Sequence, residues 1–197
     1  MQLVVLAALI AYGPNPSDGS SGGSPVVVNE FMASPLASAT ESEGEWIELC
    51  NRSDQWVNLS GWRIENQSGA SIVLTTFLVQ PGGFFVLGAC GDSSRNGGYT
   101  PNYVYSGFRL NSTGELRLYE AGGSLAEDIV YTTSWPVEPG CSCERMNPGW
   151  VGSLPGSWAA AVTTFGDGDL GTPCLVNSVY ENSFAENTWA FIKAFVQ

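Results

Sequence analysis

An all-β sandwich is the fold class this sequence predicts, and three observations predict it. Stretches of two-residue alternation recur along the chain, 24 Gly and 11 Pro lie among them, and aromatic residues make up 12% of the total. Alternation turns every second side chain of a strand to one face, while Gly and Pro supply the tight turns that join many short strands. No long stretch carries the 3.6-residue period of a helix. A chain of 197 residues suits one domain of sandwich size with a sizeable core.

The organising stretch is residues 44–64, GEWIELCNRSDQWVNLSGWRI. Trp46, Glu48 and Cys50 alternate with Ile47 and Leu49, the period of a strand with one face in a core. Asn51, Arg52, Ser53 and Asp54 then form a turn cluster. Val57 and Leu59 share one parity while Trp62 and Ile64 share the other, so the pleat resets at Ser60 and Gly61, where Gly accommodates the bend. The expectation is a hairpin ending in a buried Trp.

The remaining elements follow in order. Residues 26–32 (VVVNEFM) read as the first strand and residues 33–43 as a small, acidic loop. Residues 72–78 and 84–89 read as strands on either side of Pro81-Gly82-Gly83. Residues 91–101 (GDSSRNGGYTP) are a polar insertion placed at one end of the sandwich, where binding loops commonly sit. Residues 103–110, 114–119 and 125–131 complete the strands, with Leu116 and Leu118 inward and Glu115 and Arg117 outward. Residues 135–161, rich in Trp, Pro and Gly, read as an excursion wrapping a sheet edge.

Several of these motifs, in this order, resemble the lamin-tail domain family. They are the acidic-aromatic-Ile-Glu-Leu run with Asn-x-Ser and Val-x-Leu-Ser-Gly-Trp, then Pro81-Gly82-Gly83 before an apolar run. They continue in residues 107–111 (GFRLN), 114–118 (GELRL), 123–131 (GSLAEDIVY) and 165–177 (FGDGDLGTPCLVN). The resemblance covers residues 26–177 and is similar to secreted bacterial members, which usually carry Gly or another small residue where Cys174 stands. It implies an immunoglobulin-like β-sandwich. Relatives in the nucleus are associated with chromatin, a role the composition here argues against.

A formal charge of −12, with one lysine, Lys193, argues against a nucleic-acid partner of the phosphate-neutralising kind. Residues 1–13 form an apolar leader too short to span a bilayer, and no stable membrane span is expected. It reads either as a signal peptide with a short basic-free start or as a strand retained to dock in another subunit. Residues 14–25 are a Pro/Gly/Ser linker, residues 26–177 the domain, and residues 178–197 an apolar C-terminal segment. Leu3 and Val5 at one end, and Trp189, Phe191 and Phe195 at the other, are the assembly candidates, because such apolar segments do not stay exposed.

The chemistry follows from what is present. With no histidine, no Ser-His-Asp, Cys-His or His-metal machinery exists. Carboxylate catalysis would need Glu30, Glu45 and Glu48 to converge in a cleft, and nothing in the sequence builds one, so no enzymatic activity is expected. Five cysteines suit an oxidising compartment. Cys141 or Cys143 with Cys174 is the first candidate disulfide and Cys50 with Cys90 the second, with zinc as the weaker alternative. Asp167, Asp169 and Glu30 are the candidate Ca²⁺ ligands, with turn hydrogen bonding as the plainer reading of the two aspartates. Tyr99, Tyr103, Tyr105, Trp150 and Trp158 are candidates for sugar stacking, and core packing competes for each. The expected function is a non-catalytic secreted or surface module, structural or adhesive, with other subunits, homo-oligomeric ones included, as partners. The alternative is an accessory domain that binds glycan, cell wall or protein beside a secreted enzyme.

Overall fold

The computed structural model describes residues 23–180. Twelve strands run in chain order: β1 (Val26–Met32), β2 (Trp46–Asn51), β3 (Val57–Asn58), β4 (Arg63–Asn66), β5 (Ser71–Val73), β6 (Leu78–Val79), β7 (Phe84–Gly88), β8 (Tyr103–Val104), β9 (Gly114–Tyr119), β10 (Leu125–Tyr131), β11 (Cys143–Arg145) and β12 (Trp158–Ala160). One four-residue helix, α1 (Glu41–Gly44), precedes β2. A six-stranded sheet has the order β12-β11-β1-β2-β7-β8, a four-stranded sheet β10-β9-β4-β5, and β3 pairs with β6 alone. All pairs are antiparallel except β7 with β8.

The two larger sheets enclose the core. Val26, Val28, Phe31, Ile47, Leu49, Phe85 and Leu87 from the six-stranded sheet meet Ile64, Ile72, Leu116, Leu118, Ile129 and Tyr131 from the other, all buried. In β9 the alternation is as expected: Leu116 and Leu118 point inward, Glu115 and Arg117 outward. Phe31 packs on Tyr131 at 4.8 Å and on Trp158 at 5.7 Å between ring centroids.

The central hairpin is corrected. β2 pairs with β1 and β7, whereas β4 pairs with β5 and β9. The chain therefore crosses from one sheet to the other through β3 and the turn at Gly61, whose φ of +82° is a left-handed value that glycine adopts freely. Trp62 is buried as expected, against the core from the second sheet. The expected strand over residues 72–78 splits into β5 and β6, which belong to different sheets. The residue 135–161 excursion does more than wrap an edge: its β11 and β12 extend the six-stranded sheet beyond β1.

β1 carries a register shift between Val28 and Glu30. A shift of this kind leaves backbone groups without a ladder partner, and here side chains supply them. Glu127 from β10 accepts the Val28 N–H at 2.7 Å, and Arg145 Nη1 donates to the Val28 carbonyl at 3.0 Å. Arg145 on β11 and Glu127 on β10 are themselves paired at 2.8 Å, tying the two sheets together.

Both faces of the six-stranded sheet are covered, which two-residue alternation does not anticipate. Every residue of β1 and β2 is buried. On the outer face Met32, Trp46 and Val86 pack beneath Tyr99 and Phe165. Thus the polar insertion at residues 91–101 folds back as cover rather than standing free at the end of the sandwich.

Candidate functional site

Three glutamates stand side by side on that covered outer face. Glu30 on β1 faces Glu144 on β11 across one ladder and Glu48 on β2 across the other. Cross-strand neighbours sit about 5 Å apart at Cβ, so the register alone forms a row of carboxyls. All three are fully buried. Pairing Glu30 with Glu48 was foreseeable from the sequence. Glu144, inside the Cys-Ser-Cys-Glu-Arg run, had no alternation around it to reveal its face, and it was missed.

The closing segment, residues 162–180, lies over the row and gives it hydrogen bonds. Thr172 N–H donates to Glu30 Oε1 at 2.9 Å and Cys174 N–H to Glu48 Oε2 at 2.6 Å. Ser178 Oγ and Val179 N–H reach Glu144 Oε2 at 2.8 and 3.1 Å. From the sheet itself, Ser142 Oγ bonds Glu30 Oε1 at 2.5 Å and Asn29 Nδ2 donates to Glu48 Oε1 at 2.8 Å. Asn177 completes the clasp: it donates to the carbonyls of Asn29 and Arg145 and accepts from the Asn29 amide.

Thr172 Oγ1 shows how the row carries its charge. It lies 3.0 Å from Glu30 Oε2 and 2.8 Å from Glu144 Oε1. A hydroxyl has one proton, so one of the two carboxyls must donate to it and is therefore protonated. Glu30 fits that role: burial first, then the charges of Glu48 and Glu144, hold its carboxyl well above the usual carboxylate range. Burial likewise pushes Glu48 up to about 8. The row is thus a latch of shared protons and donated amides, roofed by the closing segment. All three carboxyls are buried beneath that roof.

The third acid considered with these, Glu45, lies elsewhere. Its Oε2 accepts the Leu110 N–H at 2.8 Å and its Oε1 is 3.1 Å from Arg109. Burial raises it to about 7. The candidate calcium ligands share no cluster as placed. Both oxygens of buried Asp169 accept the N–H groups of Leu36 and Ala37, Glu30 belongs to the row, and Asp167 is exposed. Among the described residues no group of three or more His, Cys, Asp or Glu side chains is arranged to hold a metal ion.

The disulfide expectations are not met: all five thiols are free. Cys143 faces the core, on the opposite side of the sheet from the closing segment that carries Cys174. Cys50 pairs across from Phe84, whereas Cys90 follows Gly88, which lies across from Trp46 at the other end of β2. Those ends are four residue steps apart along β2, about 13 Å, beyond the Cα span of a disulfide. Tyr99, Tyr105 and Trp158 are buried, so they belong to the core and its cover. Tyr103 and Trp150 are half-buried. The assembly candidates Leu3, Val5, Trp189, Phe191 and Phe195 lie outside the described residues.

A second feature lies on the other side of the closing segment. Trp56, Leu78, Leu175 and Val176 are 61–64% exposed and line one groove of about 550 Å³ with Phe77 and Phe84. Its full lining carries no charged residue. Four large apolar side chains held outward together are unlike the scattered exposed apolar residues of an ordinary surface. Sequence reasoning missed the groove because Trp56 lies in the turn before β3, outside any strand, and Leu78 in β6, a two-residue strand with no period to read. The neighbouring cavity, of about 650 Å³, shares Gly82, Phe84 and Val176 with the groove and is also lined by Tyr180. Among the described residues no helix is long and apolar enough to cross a membrane.

A two-sheet β-sandwich whose carboxyls are spent on closing its own fold, with an uncharged groove open beside them, defines an immunoglobulin-like module. The family model of the Lamin Tail Domain matches residues 19–133, more than half of the chain, and the chain belongs to that family. No curated protein matches it. The match ends before β11 and β12, although these strands and the closing segment complete the six-stranded sheet and its cover.

Proposed function

We propose that this lamin-tail domain is a non-catalytic structural or adhesive module of the cell exterior, which joins other protein subunits through apolar surface. The observation that carries the reading is the groove of Trp56, Leu78, Leu175 and Val176, an uncharged and outward-facing patch on an otherwise acidic chain. A patch of that kind is a contact surface for protein rather than for nucleic acid, whose affinity comes from Lys and Arg. The buried carboxyl row supports the non-catalytic side, since its side chains are fully buried and their oxygens already accept backbone and hydroxyl donors.

Light scattering on the full chain and on a chain ending at Tyr180 tests this. Ending there keeps Ser178 and Val179 on Glu144, so the closing segment retains its hydrogen bonds. Assemblies that depend on concentration and disappear on truncation are the expected result. A monomer in both cases up to high concentration would remove the assembly reading.

A further inference from the structure

The groove lies where the described chain leaves off. Leu175 and Val176 form part of its wall, and Tyr180, four residues further on, lines the cavity that shares Gly82, Phe84 and Val176 with it. The sequence continues for 17 residues, 181–197, ENSFAENTWAFIKAFVQ. The first seven, with Glu181 and Glu186, are polar apart from Phe184 and Ala185, and span up to about 25 Å when extended. Residues 188–196, TWAFIKAFV, carry one charge, Lys193.

Resting on the reading of the apolar tail as an interaction element, we infer that residues 188–196 dock in the groove of Trp56, Leu78, Leu175 and Val176 on their own domain. Three arguments meet here. The first is chemical match: an uncharged groove suits a nearly uncharged segment, and the hydrophobic gain is about 25 cal/mol per Å² of apolar area covered. The second is shape. In an extended segment Trp189, Phe191, Lys193 and Phe195 fall on one side and Ala190, Ile192, Ala194 and Val196 on the other, so one face offers large aromatic groups around a single charge and the other is wholly aliphatic and uncharged. The third is concentration. A seven-residue tether starting beside the groove holds the segment at an effective concentration in the millimolar range, above that of any free copy in dilute solution. Assembly then arises when tails exchange between copies, because a neighbour's tail makes the same contacts.

Cys174 provides the test, since it lines the groove, is exposed and bears a free thiol. In the full chain, Phe191→Cys is oxidised at low micromolar concentration and the cross-links are mapped by peptide mass. The expected product is a disulfide within one chain joining the introduced thiol to Cys174, and none when Cys174→Ser is added. An introduced thiol that stays free, or that bonds only between chains, overturns docking on the same domain. A second measurement needs no new cysteine: chymotrypsin release of the tail at Trp189 and Phe191, comparing the natural chain with Leu78→Glu plus Leu175→Glu. Both positions are exposed, so the domain still folds, and release becomes roughly tenfold faster if docking protects the tail. Equal rates overturn the inference. Tail-dependent assembly without the Cys174 bond would leave the proposed function standing and remove the groove as its receptor. The bond in a chain that stays monomeric would do the reverse.

Discussion

On its sheet side, the segment from Thr172 to Val176 gives the N–H groups of Thr172 and Cys174 to buried carboxyls; on its solvent side it shows Leu175 and Val176. Five residues thus span a buried polar site and an exposed apolar wall. The contrast shows what each chemistry demands. A buried carboxyl needs a donor or a proton at each oxygen, so its neighbours are fixed in position. An apolar wall needs only area, and tolerates change until something covers it. One side specifies the fold of the closing segment, while the other leaves surface available for binding.

The sharpest way to break the comparison is to remove a carboxyl from the row. Glu30→Ala leaves Ser142 Oγ and Thr172 N–H without their acceptor and opens a void beneath the closing segment. The expected loss is about 3 kcal/mol or more, read as a shift in the urea midpoint. Glu30→Gln keeps the shape, accepts the same two donors and offers an N–H to Thr172 Oγ1 as the protonated acid does, so it should cost less than about 1 kcal/mol. A Gln variant as damaged as the Ala variant would show that Glu30 is charged, against the proton count at Thr172.

Next in size is the pH dependence of the row. Glu48 is raised from 4.5 to about 8 by burial, and Glu30 is raised as well. Between those values the folded domain holds a proton that the unfolded chain has released, so unfolding stability falls as pH rises. The stabilising contribution is fully present below about pH 4.5 and is lost as pH climbs through about 8. Urea melts at pH 5 and pH 8 should differ by on the order of 2 kcal/mol, with the acidic sample the more stable. Glu48→Gln should flatten part of that slope. Equal stability at both pH values would mean that the row keeps its full charge in the fold.

How much of this was legible in the sequence depended on where periodicity reached. β9 carries long alternation between clear turns, and its faces were readable residue by residue. β2 was readable as a strand, but not as one buried on both faces, because its cover comes from residues 91–101 and 162–180, far away in the chain. Glu48 looked like an outward, solvated carboxyl for that reason. Trp56 lies outside any strand and β6 spans two residues, too short for any period, and so the groove they line was invisible. The cysteines misled because an odd count and a Cys-x-Cys pair speak of compartment and not of geometry, and the sheet places Cys143 and Cys174 on opposite sides.

The smallest effect concerns the residue at which the two sides of the segment meet. Cys174 has φ of +66°, the one non-glycine residue in the left-handed region among those described. This backbone is one that favours glycine. A left-handed conformation costs a residue with a Cβ about 1–2 kcal/mol, while glycine adopts it freely. The conformation is held because the Cys174 N–H must reach Glu48 Oε2, at 2.6 Å. Cys174→Gly should therefore raise stability by about 0.5–1 kcal/mol, the relief of strain being offset in part by the greater freedom of glycine in the unfolded chain. Cys174→Ala separates the causes: it removes the thiol but keeps the Cβ, and should leave stability nearly unchanged. If the Ala variant gains as much as the Gly variant, the thiol is what strains this turn, and the backbone account of the position fails.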